Sequence, residues 1–111
     1  MSKSYLELIQ FPTYLERYKY LKLSSGIGIA TFGSDRYLNQ MFYHDLEWRA
    51  VRNRVIIRDE GNDLGIPGRE IKTGIYIHHI DPITRDDVVN RSPKLFDLNN
   101  LICCSLKTHN A

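Results

Sequence analysis

Two adjacent histidines, His78 and His79, close the β-type run Ile75-Tyr76-Ile77 and lead straight into Ile80-Asp81-Pro82. Two neutral imidazoles side by side can supply a metal ligand and a general base to one small site. A second ligand must then come from elsewhere in the fold, and His109, beyond Asn100, can provide it. Together these positions point to cleavage of a phosphodiester. Spacing alone also admits a plainer reading. Successive side chains on a regular strand point to opposite faces, which favours one buried, hydrogen-bonded histidine and one exposed. For both rings to serve one site the pleat must break at the strand end, where Asp81-Pro82 stands. His44 has no such partners and reads as a surface residue.

The elements that must carry these residues can be traced along the chain. A helix is expected over residues 45–58, where Trp48, Val51 and Val55 share one apolar face and Glu60-Gly61-Asn62-Asp63 supplies the stop. Arg49, Arg52, Arg54 and Arg58 crowd into this helix. Phosphate contact and solvated arginines whose stems cover apolar surface are both open for them. Their spread around the helix keeps all four from touching one flat ligand. Gly65-Ile66-Pro67-Gly68 is a turn, and residues 69–72 are expected to form a hairpin with 75–79. Pro82 stops that strand, and residues 84–93 read as a polar surface loop. Leu101–Cys104 reads as a second strand, and Ser105 can cap a short helix through Leu106, Lys107, Thr108 and His109.

Upstream, Phe11, Tyr14, Leu15 and Tyr18 follow helical spacing, and Thr13 with Glu16 resembles a capping box opening near Pro12. Residues 4–23 therefore read as an aromatic-rich helical arm. Ser24–Gly28 and Gly33-Ser34-Asp35 read as loops, with a short helix over 36–41. Gly26-Ile27-Gly28 is too little for nucleotide binding without a strand–turn–helix context.

Composition narrows the class. The chain has 111 residues, 42% of them hydrophobic and 25% charged, as expected of a single globular domain. No apolar run approaches the length of a membrane span, and the start Met-Ser-Lys-Ser-Tyr lacks the apolar stretch of a signal peptide. A cytoplasmic location without membrane partners is the expectation. A net charge of +2 permits nucleic-acid binding without requiring it. The two cysteines, Cys103 and Cys104, continue the apolar run Leu101-Ile102 and are expected to be reduced and buried.

His78-His79-Ile80-Asp81-Pro82, then Asp97-Leu98-Asn99-Asn100-Leu101-Ile102, then His109-Asn110, resemble the HNH endonuclease motif. Trp48-x-x-x-Arg52 and Val55-Ile56-Ile57-Arg58-Asp59 match its usual lead-in, so the resemblance spans about residues 46–111. The whole chain, arm included, is similar to small HNH proteins of bacteriophages. The implied architecture is α+β: a ββα-metal finger preceded by an N-terminal helical arm and the Trp/Arg-bearing helix, with arm and loop over residues 1–44 and an HNH nuclease domain over 45–111. In that pattern His78 and His109 become metal ligands, His79 the general base, and Asn100 the residue that fixes the loop and orients His79. Arg49, Arg52 and Arg58 become candidate DNA contacts. The implied activity is metal-dependent hydrolysis of DNA phosphodiester bonds, with one divalent cation (Mg, Mn, Zn or Ni). The expected setting is the bacterial host cell.

The chain departs from the family in two places. Many members carry two Cys-x-x-Cys pairs that hold a structural zinc; here those positions fall near Asn62 and Gly65 and at Ser105 and Thr108, so no structural zinc is expected. Many also carry a further histidine four residues after the one matching His109, which would fall at 113, beyond Ala111. With two protein ligands, metal should bind more weakly than at a three-ligand site. The last helix holds little more than one turn, and the expectation is that the natural protein continues past Ala111, so that truncation would impair this chain's activity. An alternative of a different class is a non-catalytic DNA-binding module, such as an accessory protein docking on phage packaging (terminase) proteins. A third is a purely structural metal site.

Overall fold

The computed structural model describes residues 3–25 and 36–110. Its elements in chain order are α1 (Tyr5–Leu8), α2 (Tyr14–Ser25), α3 (Arg36–Tyr43), α4 (Leu46–Asp59), β1 (Tyr76–His79), α5 (Arg85–Val89), β2 (Leu101–Cys104) and α6 (Leu106–Asn110). Single 3₁₀ turns lie at Asp63–Gly65, Pro93–Leu95 and Leu98–Asn100. The protein is a small α+β fold around one two-stranded antiparallel sheet. Among the described residues no helix is long and apolar enough to cross a membrane.

β1 and β2 pair with Tyr76 opposite Cys104, Ile77 opposite Cys103, His78 opposite Ile102 and His79 opposite Leu101. The expected hairpin with residues 69–72 does not form. That segment makes only an isolated bridge, Asn62 to Glu70, because the wholly buried Leu101–Cys104 takes the pairing edge of β1. A two-stranded ribbon is marginal by itself in water and needs packing on its faces. Here both faces are covered. Ile77, Leu101 and Cys103 pack with Phe42, Trp48 and Val55 on one side. Ile102 and Cys104 pack with Leu8, Tyr20, Leu21 and Leu64 on the other. The cysteines are free and buried as expected, and burial pushes both thiols up to about 12.

α4 forms where the periodicity places it. Asp45 caps it by accepting from the Glu47 and Trp48 amides at 2.8 and 3.2 Å, and Glu60 ends it in a left-handed conformation with φ of 55°. Its buried face carries Trp48 and Val55, with Asp59 at the end. Residues 84–93, expected as loop, contain α5, which Thr84 and Asp87 start with a reciprocal capping box. Of the expected loop Ser24–Gly28, Ser24 and Ser25 belong to α2; the remainder, with Gly33-Ser34-Asp35, lies outside the described residues.

Residues 4–23 do not stand off as an arm. They split into α1 and α2, the latter opened by Thr13 accepting from the Glu16 amide at 3.2 Å. Leu8, Tyr20 and Leu21 share a core with β2. The division at residue 44 therefore separates two parts of one core. Arg17, 8% exposed, spans the joint by donating to Phe11 O at 2.7 Å and Leu64 O at 2.8 Å. Its burial lowers its pKa from the ordinary arginine value.

A second joint involves Ser105 and Thr108, two of the positions without cysteine. The buried Asp63 carboxylate accepts from Ser105 N at 3.2 Å, Ser105 Oγ at 2.9 Å and Thr108 Oγ1 at 2.7 Å. Thr108 Oγ1 spends its proton on Asp63, so Tyr14 donates to it across 2.6 Å. Ser105 Oγ also caps α6 by accepting from Thr108 N at 3.2 Å. Carboxylate, hydroxyls and phenol thus bind α2 and the turn after α4 to the start of α6. Asp63→Ala should cost about 3 kcal/mol, since it strands several buried donors at a charged acceptor. Urea denaturation with an unchanged slope measures this, and Asp63→Asn should cost less.

Candidate active site

The alternation of β1 determines where the histidines go. His78 lies opposite Ile102, on the face covered by α1 and α2; His79 lies opposite Leu101, on the face covered by α4. The expected break in the pleat is absent, because β1 stays in register through His79.

His78 meets His109 across the open end of its face. The two ring centroids are 6.2 Å apart and the planes are nearly perpendicular, at 76°. Two imidazoles held through nitrogen about 2.0–2.1 Å from one tetrahedral ion have centroids roughly 5 Å apart. At 6.2 Å the two rings are neighbours about 1 Å wider apart than such an ion would hold them, so a shared cation would draw the exposed His109 ring closer. His78 is half-buried, and its pKa falls from 6.5 to about 4, first through burial and then through His109 and His79. It is neutral at pH 7 and can donate a lone pair. Among the described residues no three His, Cys, Asp or Glu side chains converge, so these residues offer such a site two rings.

His79 is held by three contacts. Its Nε2 lies 3.1 Å from Leu95 O. A carbonyl only accepts, so Nε2 carries the proton and the neutral ring keeps its lone pair on Nδ1. Trp48 stacks on the ring at 5.3 Å and 20°, and Phe42 approaches to 6.1 Å. Burial lowers its pKa from 6.5 to about 4. The Leu95 bond and Asp87 oppose that fall, and Lys94 adds to it.

Asn100 closes the connection between the strands. Its Oδ1 accepts from Asp81 N at 2.6 Å, while Nδ2 donates to Asp81 O at 3.1 Å and Lys94 O at 3.2 Å. Its own carbonyl accepts from Ile80 N at 2.8 Å. Both ends of the loop are thus fixed by one buried amide. No Asn100–His79 bond is present. The amide instead holds Lys94, next in sequence to the Leu95 carbonyl that orients the ring.

The arginines separate by environment. Arg58, expected at phosphate, is committed inside the fold. It donates to both Asp59 oxygens, to Leu98 O at 2.7 Å and to Leu101 O at 2.5 Å. Its guanidinium also lies 3.5 Å from the Tyr5 ring centroid. Four N–H groups are used, which removes the fork a phosphate would need. Arg52 donates to Ile75 O at 3.0 Å and lines a cleft that also includes Tyr43, Tyr76 and His109. Arg49 is exposed on α4, and His44 is exposed as expected.

Several contributors escaped the sequence reading. Trp48 reads from the sequence as an apolar-face residue and part of the motif's lead-in, neither of which sets it on the His79 ring, and the Leu95 carbonyl has no side-chain signature. Tyr76 had a signal: two residues before His78 on a strand, it must share that histidine's face. Its ring stacks on His109 at 5.3 Å and 10°. The chain matches no protein-family model, no curated protein and no solved structure.

The two lowered histidines make metal-free stability fall on acidification. Unfolded, each titrates near 6.5; folded, near 4. Between these values the unfolded chain holds more protons, so stability is full above pH 6.5 and declines toward pH 4. From pH 7 to 5.5, above most carboxylate titrations, the pair should cost about 2 kcal/mol. Urea midpoints of chelator-treated protein read this, and the slope should flatten in His79→Gln.

Proposed function

We propose that the chain is a metal-dependent, HNH-type endonuclease that hydrolyses DNA phosphodiesters, built on a ββα-metal finger made of β1, β2 and α6. The meeting of His78 and His109 carries this reading. Two imidazoles from separate elements, facing each other with ring centroids 6.2 Å apart, suit Zn²⁺ or Ni²⁺ better than Mg²⁺, which prefers oxygen. His78 and His109 would hold the cation, and a divalent ion there supplies neutralisation of charge on the scissile phosphate and leaving oxygen.

In this reading His79 takes the proton of the attacking water through Nδ1, which requires the scissile phosphate to reach around the end of β1, since the His78 and His79 rings occupy opposite faces of the strand. Leu95 O holds the tautomer, and Trp48 limits rotation of the ring. A base with a pKa of about 4 is fully unprotonated at neutral pH but a weak acceptor. An approaching phosphate anion favours the imidazolium and strengthens it as a base. Asn100 keeps the loop in the position that this orientation needs. Arg52 and Arg49 are the DNA contacts that remain after Arg58 is assigned to the fold; they would position the backbone without reading bases.

A second reading has its own support. His79 is 9% exposed and faces away from His78, and the ligand set among the described residues has two members. Both features suit a non-catalytic DNA-binding module, including one that docks on phage packaging (terminase) proteins.

Supercoiled plasmid separates the readings. Chelator-treated protein should leave it intact, and restored Mn²⁺, Ni²⁺, Zn²⁺ or Mg²⁺ should yield nicked or linear DNA. His79→Ala should slow this about 10²–10⁴-fold. Cleavage that survives both chelation and His79→Ala overturns the mechanism. Salt-dependent binding without cleavage under any metal selects the binding module.

A further inference from the structure

We propose that Tyr76 is a positioning residue for the metal-binding pair, holding the His109 ring ready for a transition-metal cation; this rests on the metal site proposed above. His109 lies on α6, a helix of five residues, and is exposed. So short a helix gains little from its own hydrogen bonds, and an exposed imidazole on it is free to rotate unless something stops it. At its start, α6 is held through Thr108 and Ser105 to Asp63. Those contacts fix the backbone next to His109 and leave its ring unconstrained.

Tyr76 supplies the missing constraint. It shares a strand face with His78, and its ring lies almost parallel to that of His109, 5.3 Å between centroids and 10° between planes. The same imidazole presents its other contact to His78 at 76°. His109 is thus stacked on one neighbour and perpendicular to the second, an arrangement that sets its ring plane relative to His78 before any ion arrives. Holding a ligand in its bound rotamer removes ordering entropy from the binding step. The effect weighs most where only two protein ligands share the work. The phenol hydroxyl is not needed for this, because the contact is through the ring face.

Isothermal titration of the full chain with Ni²⁺, alongside proton NMR of the His109 ring without metal, tests the role. Tyr76 is 39% exposed, so Tyr76→Val retains a strand former at a site outside the core. In the wild type, ring current from Tyr76 should shift the His109 ring protons upfield. Tyr76→Phe should keep that shift and the wild-type affinity. Tyr76→Val should lose the shift and weaken Ni²⁺ binding about tenfold, the lower range for supports of a metal ligand. His109→Ala should abolish binding. Unchanged affinity in Tyr76→Val, with the wild type binding Ni²⁺, overturns the positioning role alone. A wild type that binds no Ni²⁺ or Zn²⁺ overturns the metal site and this role together.

Discussion

Burial of β2 on both faces is the constraint from which the other placements follow. Leu101, Ile102, Cys103 and Cys104 are each at most 1% exposed. Alternation sends Leu101 and Cys103 to the α4 side and Ile102 and Cys104 to the side of α1 and α2. A two-stranded sheet in this position cannot leave either face wet, so the N-terminal helices are part of the fold. The same alternation on β1 separates His78 from His79. One ring opens toward α6 and the other is packed under Trp48.

Buried ionic groups hold the layers that the apolar clusters bring together. Arg58 and Asp59 join the end of α4 to the carbonyls of Leu98 and Leu101, and Asp59 also accepts from Cys103 N at 3.0 Å. Arg17 ties α2 to the turn at Leu64, and Asp63 ties that turn to α6. Buried charges of this kind are tolerated because Arg58 and Asp59 are ion-paired, and Arg17 and Asp63 are satisfied by hydrogen bonds to carbonyls and to hydroxyls. They meet where backbone carbonyls or amides lack partners in a helix or sheet. Their removal should therefore be felt at the junctions, close to the histidines that α6 and the strand connection carry.

Much of this was readable in the residues. The apolar period of Trp48, Val51 and Val55 marked α4, and the run Leu101-Ile102-Cys103-Cys104 marked the buried strand. Ser105 marked the start of α6, and Thr13 with Glu16 marked the start of α2. These signals are local: a period, a cap or a run decides them within a few residues. The pairing of β1 was misread because residues 69–72 are nearer in sequence than 101–104, and proximity favours a hairpin. α5 reads as loop because residues 84–93 are mostly polar and its own five, Arg85–Val89, are too few to show a helical period, although Thr84 and Asp87 cap it.

By itself the sequence supplied the candidates for chemistry: His78, His79 and His109 by type, and Asn100 by its place in the motif the chain resembles, and Asn100 does close the loop. Only the tertiary structure decided how they relate. It turned His79 toward Leu95 O and Trp48, brought His109 within 6.2 Å of His78, set Tyr76 against His109, and drew Arg58 into the interior. Each of these contacts joins elements far apart in the chain. Local patterns constrain which face a side chain occupies, but the neighbour it meets there depends on how the layers pack.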